Sequence, residues 1–307
     1  MLGLVWSMKN SLAPISKIPS DLFALIPDYL DDDDDLITMT HVCRGWRELL
    51  IARPSLWVRL DCTNTDETRV YIERSKSAPL ELSLYDPVDA GYLEEAFLLV
   101  VPHIGRLKSL SLDGGGDNFL QGLTPYFSRP IPLLNELIID VNWELSPVIS
   151  NELFNGNLSS LCSLSLSGVT THLPWRNLLN LTTFKLSHTP EEKTSITQLL
   201  DFLKDAHHLR DIEFTYSTPS SSDASPGRVL SLPHLEKLDI KVDRVHSILL
   251  NHLSIPAGAL LALTSGFTDD EALVAEFLPK TLENFGNIFP ISSVSEPTSP
   301  TGLLNRC

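Results

Sequence analysis

LKSLSL at residues 107–112, LNELII at 134–139 and LCSLSL at 161–166 state one pattern, Leu-x-x-apolar-x-apolar. It returns at Leu181-Phe184-Leu186, Leu209-Ile212-Phe214 and Leu235-Leu238-Ile240, and successive starts lie 27, 27, 20, 28 and 26 residues apart. Alternation at the end of each phrase is the signature of a strand with one buried face. The gaps leave room for one turn or helix per strand. A unit of that size cannot bury its apolar face alone, so the units must stack and the stack becomes the core.

The period lies in the leucine-rich-repeat range. Leu80, Leu82 and Leu84 alternate as an extra first rung, so residues 58–85 read as linker and first rung. Gly91–Val101, Asp117–Phe127 and Ser195–Ala206 have helical spacing. The fold class expected is α/β. Over 86–290 an irregular solenoid should place parallel strands on a concave face and helices or turns on a convex one. Regular repeats carry Asn or Cys three residues past the last Leu. Here only Asn142 does; the other rungs have Gly115, Val169, Thr189, Ser217 and Asp243. Residues 217–227 read as a flexible loop. Thr268–Glu271 is a capping box for a helix reaching Leu278. A lead-in (1–14) and a tail (291–307) are expected to be disordered.

Residues between and after the inward leucines should point to the concave face, where solenoids bind partners. They are Ser111 and Asp113, Ile138 and Asp140, Ser165 and Ser167, Lys185 and Ser187, Glu213 and Thr215, and Asp239 and Lys241. Ile138 is the apolar anchor among them. The formal charge of −16 suits a basic or neutral protein target.

Residues 15–57 read as a separate helical unit. Ser20 can cap a helix with Leu22, Leu25, Ile26, Tyr29 and Leu30 on one face. Pro27 should kink that helix or end it early. Asp31–Asp35 form an acidic loop leading into a second helical stretch, Leu36–Ala52, with Gly45 as the expected joint between two short helices. A unit this small has more apolar side chains than it can bury, and an exposed apolar patch usually marks an interface.

Ile18-Pro19-Ser20-Asp21-Leu22-Phe23, then Leu36, His41-Val42-Cys43-Arg44-Gly45-Trp46-Arg47 and Pro54-Ser55-Leu56-Trp57 resemble the F-box. Arg69–Leu80 is similar to the linker of mushroom-type fungal F-box proteins. The resemblance implies a three-helix unit that docks on a Skp-type adaptor and through it on a cullin scaffold. The adaptor-binding residues would be Ile18, Pro19, Leu22, Phe23, Ile26, Leu30, Leu36, Val42, Cys43 and Trp46. The implied function is substrate recognition in an SCF-type cullin-RING ubiquitin ligase, with catalysis left to another subunit. The alternative is a binding scaffold outside any ligase, its helical unit capping the solenoid.

Composition narrows the other classes. Clustered Lys and Arg are missing, which argues against nucleic acid and an anionic membrane surface. Cys43, Cys62, Cys162 and Cys307 show no CxxC spacing, so no metal or cofactor is expected. Their scatter suits a reducing compartment, cytoplasmic or nuclear. His207-His208 reads as a surface pair. Gly114-Gly115-Gly116 lacks the Lys-Ser or Lys-Thr of a phosphate loop and reads as a turn. No nucleophile motif occurs, and no enzyme activity is expected.

Overall fold

The computed structural model describes residues 14–23, 25–29, 33–85, 91–114, 119–142, 149, 153–156, 158–169, 178–189, 195–217, 228–242 and 249–265. The expectations for 1–13, 31–32, 218–227, 266–290 and 291–307 lie outside these residues, as does Leu30.

Alternation becomes sheet. β1 (Arg59–Leu60), β2 (Leu80–Tyr85), β3 (Leu107–Gly114), β4 (Glu136–Val141), β5 (Ser163–Ser167), β6 (Thr183–Ser187) and β7 (Asp211–Thr215) lie side by side in chain order, all parallel. β8 (Leu230–Ser231) leaves this sheet; β9 (Lys237–Val242) pairs with β7. β10 (Leu253–Ser254) pairs with β8 in a small second sheet, and β11 (Leu260–Ser265) closes the main one beside β9. The second sheet has no counterpart in the sequence reading, because two-residue strands carry no period.

Register repeats across the sheet. Leu82, Leu110, Leu137, Leu164, Phe184, Ile212, Leu238 and Leu261 share one inward row. Every member is buried. A one-residue slip of any strand would turn its leucines to water, so the pattern itself holds the register. Against this row pack α5 (Gly91–Val100), α6 (Phe119–Phe127) and α7 (Ile196–Leu203), which contribute Ala96, Phe97, Leu123, Phe127, Leu199 and Leu203 to the same core. Phe97 lies 5.7 Å from Phe127, which lies 6.0 Å from Phe154. Phe184 meets Phe202 at 5.4 Å. Ser195 caps α7 by accepting from the Gln198 amide at 3.1 Å.

The ends of β5, β6 and β7 share one turn geometry. Gly168, His188 and Tyr216 each follow their strand with positive φ, at 72°, 52° and 49°. Their amides donate to the next strand: Gly168 to Ser187 at 3.0 Å, His188 to Thr215 at 2.9 Å, Tyr216 to Lys241 at 2.7 Å. One residue further on, buried Ser217 accepts from the Thr189 amide at 3.1 Å and so joins two successive strand ends. Gly114, expected in a turn, is instead the last residue of β3. A Cβ there would run into the Phe119 ring.

The amino-terminal unit departs from its expected outline. α1 (Ser20–Phe23) is short, and a 3-10 turn, Ile26–Tyr29, replaces its second half. Pro27 is the reason: it offers no N–H to continue the helix. α2 (Asp33–Val42) and α3 (Arg44–Ile51) divide at Cys43, in extended conformation at φ −158°, and not at Gly45. Asp33–Asp35, expected in a loop, belong to the first turn of α2. α4 (Thr65–Ser75) begins on Asn64, whose side chain accepts from the Asp66 and Glu67 amides. Its far end is tied to the sheet by Arg106, which donates to the Ala78 carbonyl at 2.7 Å and to Ser75 Oγ at 2.9 Å.

Candidate functional site

Two surfaces carry the residues singled out in the sequence. The first is the outside of the helical unit. Leu22 is 57 % exposed and Val42 53 %. Ile15, Ile18, Leu25, Tyr29 and Leu49 are exposed too, as is Pro19. Ile26, Cys43 and Trp46 are half-buried.

Two of the expected adaptor contacts need correcting. Phe23 is only 2 % exposed, with the Trp46 ring 4.5 Å from its own, and Leu36 is buried as well. Both are core residues of the unit. The resemblance named both Leu22 and Phe23, but adjacent helical residues point to different sides, and here Leu22 faces water while Phe23 faces inward. Ile15, Leu25, Tyr29 and Leu49 are apolar exposed residues that the motif did not flag.

The helical unit does not stand apart from the sheet. Trp57 is fully buried, its indole N–H donating to the Leu50 carbonyl at 3.0 Å. Its ring meets Tyr71 of α4 edge-on at 5.0 Å, and the Arg74 guanidinium lies 4.3 Å from the ring centre.

The second surface is the sheet face opposite the core. All twelve residues expected there fall into two register rows. One is Ser111, Ile138, Ser165, Lys185, Glu213 and Asp239; the other is Asp113, Asp140, Ser167, Ser187, Thr215 and Lys241. Ser83 and Tyr85 extend them onto β2. A third row, Ser109, Glu136, Ser163, Thr183, Asp211 and Lys237, was missed. Running the period-two count one step backwards from Ser111 finds it.

Electrostatics divide this face. Glu213 accepts from Lys241 Nζ at 2.9 Å and has Lys185 Nζ at 3.5 Å. The Lys241 bond, with the two ammonium charges, holds the Glu213 carboxyl below its ordinary range, and the same bond raises Lys241. Asp239 is 8 % exposed and lies 3.4 Å from Lys237 and 3.9 Å from Lys241, so it is not the open acid the sequence suggested. With their ammonium ends open to water, such pairs contribute on the order of 1 kcal/mol or less each. A depressed carboxyl stabilises the fold above the ordinary carboxylate range, and that stability is lost as pH falls through its folded value. Urea midpoints should therefore drop on acidification. Glu213→Gln should flatten that acid limb and lower the midpoint at neutral pH slightly; an unchanged limb would contradict the pairing.

At the other end, Asp113 and Asp140 are exposed neighbours in register. Partial burial, then the Asp140 charge, raises the Asp113 carboxyl above its ordinary range.

Reactive groups are sparse. Burial, then the Asp61 charge, pushes the Cys62 thiol up to about 12, leaving it a poor nucleophile. His208 and His234, both exposed, stack at 5.8 Å from successive rungs. Among the described residues no group of three or more His, Cys, Asp or Glu is placed to hold a metal, and no helix is long and apolar enough to cross a membrane.

No curated protein matches the chain. The F-box-like family model matches residues 15–63, which span the helical unit through Trp57 and the start of the bridge to α4. An F-box-like domain therefore occupies the amino-terminal end of this chain.

Proposed function

We propose that this chain is the substrate-recognition subunit of an SCF-type cullin-RING ubiquitin ligase. Its F-box-like domain docks on a Skp-type adaptor, and through it on a cullin. Its repeats form a leucine-rich solenoid of the kind joined to F-boxes in mushroom-type fungi, and the sheet face holds a protein target. The chain itself is non-catalytic and works in the cytoplasm or nucleus. Its contribution is proximity: target and conjugate held on one assembly meet at high effective concentration.

One observation carries the reading: within the residues that match the F-box-like family, Leu22, Leu25, Tyr29 and Val42 lie open to water. Apolar ground of that kind usually marks an interface. The experiment is co-expression of the full chain with a Skp-type adaptor, followed by purification on a tag carried by the chain. Stoichiometric adaptor in the eluate is expected. A chain eluting alone would reject the proposal.

A second reading is a scaffold whose helical unit only caps the repeats. The burial of Phe23 and Leu36 and the anchoring of Trp57 on α4 favour it, because they make the unit part of the sheet's own core. In that case the same purification yields no adaptor, and deleting residues 15–57 destabilises the sheet.

A further inference from the structure

The outward sheet face is not uniformly charged. In its β6–β9 part, Glu213 and Asp239 are answered by Lys185, Lys237 and Lys241. In its β2–β4 part, Asp113 and Asp140 stand opposite one another on adjacent strands. Among the described residues neither forms an ion pair. The stretches that leave these strands, 86–90, 115–118 and 143–148, contain no Lys or Arg.

Like charges placed directly opposite in a sheet are destabilising. A fold that keeps them without a partner has set local stability against something else, and such departures gather at functional positions. The Asp pair also has suitable company. Tyr85, 63 % exposed, lies beside Asp113 in the same row, and half-buried Ile138 lies in the adjacent row. An aromatic ring, an aliphatic side chain and two carboxylates match a cationic side chain with an alkyl stem: the ring attracts the cation, the Ile packs the stem, and the acids accept from the head group.

We infer that the β2–β4 part of the sheet face docks an extended basic segment of a protein partner, with a Lys or Arg side chain between Tyr85 and the Asp113–Asp140 pair. This rests on the proposal that the sheet face holds the ligase target, and it locates the contact in one part of that face. In the β6–β9 part Glu213 and Asp239 already have lysine partners, so a cation gains less there.

The test is fluorescence anisotropy on the full chain with a labelled ten-residue peptide of alternating lysine and serine, beside the same peptide with glutamate for lysine. The lysine peptide should bind and the glutamate peptide should not. Asp113→Asn with Asp140→Asn should weaken binding about tenfold, whereas Glu73→Gln with Glu95→Gln, an equal charge change at exposed positions off the face, should change it less than about twofold. Equal weakening by both double variants would overturn the inference, because net charge alone would then explain the binding. Binding of the glutamate peptide, or an unaltered affinity in the Asn double variant, would overturn it too. Circular dichroism checks that the variants fold. Adaptor capture is measured on the same samples. A chain that binds peptide through Asp113 and Asp140 but captures no adaptor would sink the ligase reading and leave this surface standing.

Discussion

Leu22→Glu combined with Val42→Glu is expected to abolish capture of a Skp-type adaptor while leaving the fold intact. Both side chains are more than half exposed in the free chain. Surface substitutions away from packed features usually change stability by less than about 0.5 kcal/mol. In a complex the same carboxylates would be taken out of water without partners, which costs several kcal/mol. The affinity should fall by about a thousandfold or more, against an unchanged urea midpoint. Trp46→Ala is a poorer reporter. Its ring packs on buried Phe23, so truncation would damage the unit and any interface together. If the double glutamate variant still captures adaptor at wild-type strength, the exposed residues at 22 and 42 are not the docking ground.

Trp57→Ala should be the most destabilising single substitution at the junction, by about 3–5 kcal/mol. Three losses combine. The largest fully buried ring among the described residues leaves a cavity, the edge-on contact with Tyr71 disappears, and the indole bond to the Leu50 carbonyl is gone. Trp57→Phe keeps most of the volume and should lose only about 1 kcal/mol, the net worth of a typical hydrogen bond. Urea unfolding followed by circular dichroism measures both. Equal midpoints for wild type and Trp57→Ala would mean that the helical unit and the sheet do not share a core.

How much of this was legible in the sequence depends on whether a local rule was in control. The rungs were legible because strand alternation and a period near 27 both had to hold for the leucines to be buried. The twelve outward residues followed from the same alternation, and the structure places them in two rows. Phe23 was misplaced because the F-box resemblance names residue types, not which of two adjacent apolar side chains, Leu22 or Phe23, fills the unit's own core. The joint at Cys43 was missed as well: Gly45 looked like the weaker residue, but helix geometry resumes at Arg44. Asp239 was read as an open acid because a strand pattern says which side a residue faces, not which neighbours on that side cover it. Lys237 and Lys241, two residues either side of it on β9, do so. The Ser217–Thr189 bond was not legible, since a serine just past a strand is also an ordinary loop residue.

The central claim is that a second polypeptide covers the exposed apolar residues of the F-box-like domain. Amide hydrogen exchange of the full chain, with and without a purified Skp-type adaptor, tests it directly. The account predicts slower exchange over residues 15–29 and 36–50 when adaptor is present, with β3 to β9 unchanged. No protection over 15–50, or protection confined to the sheet strands, would contradict it.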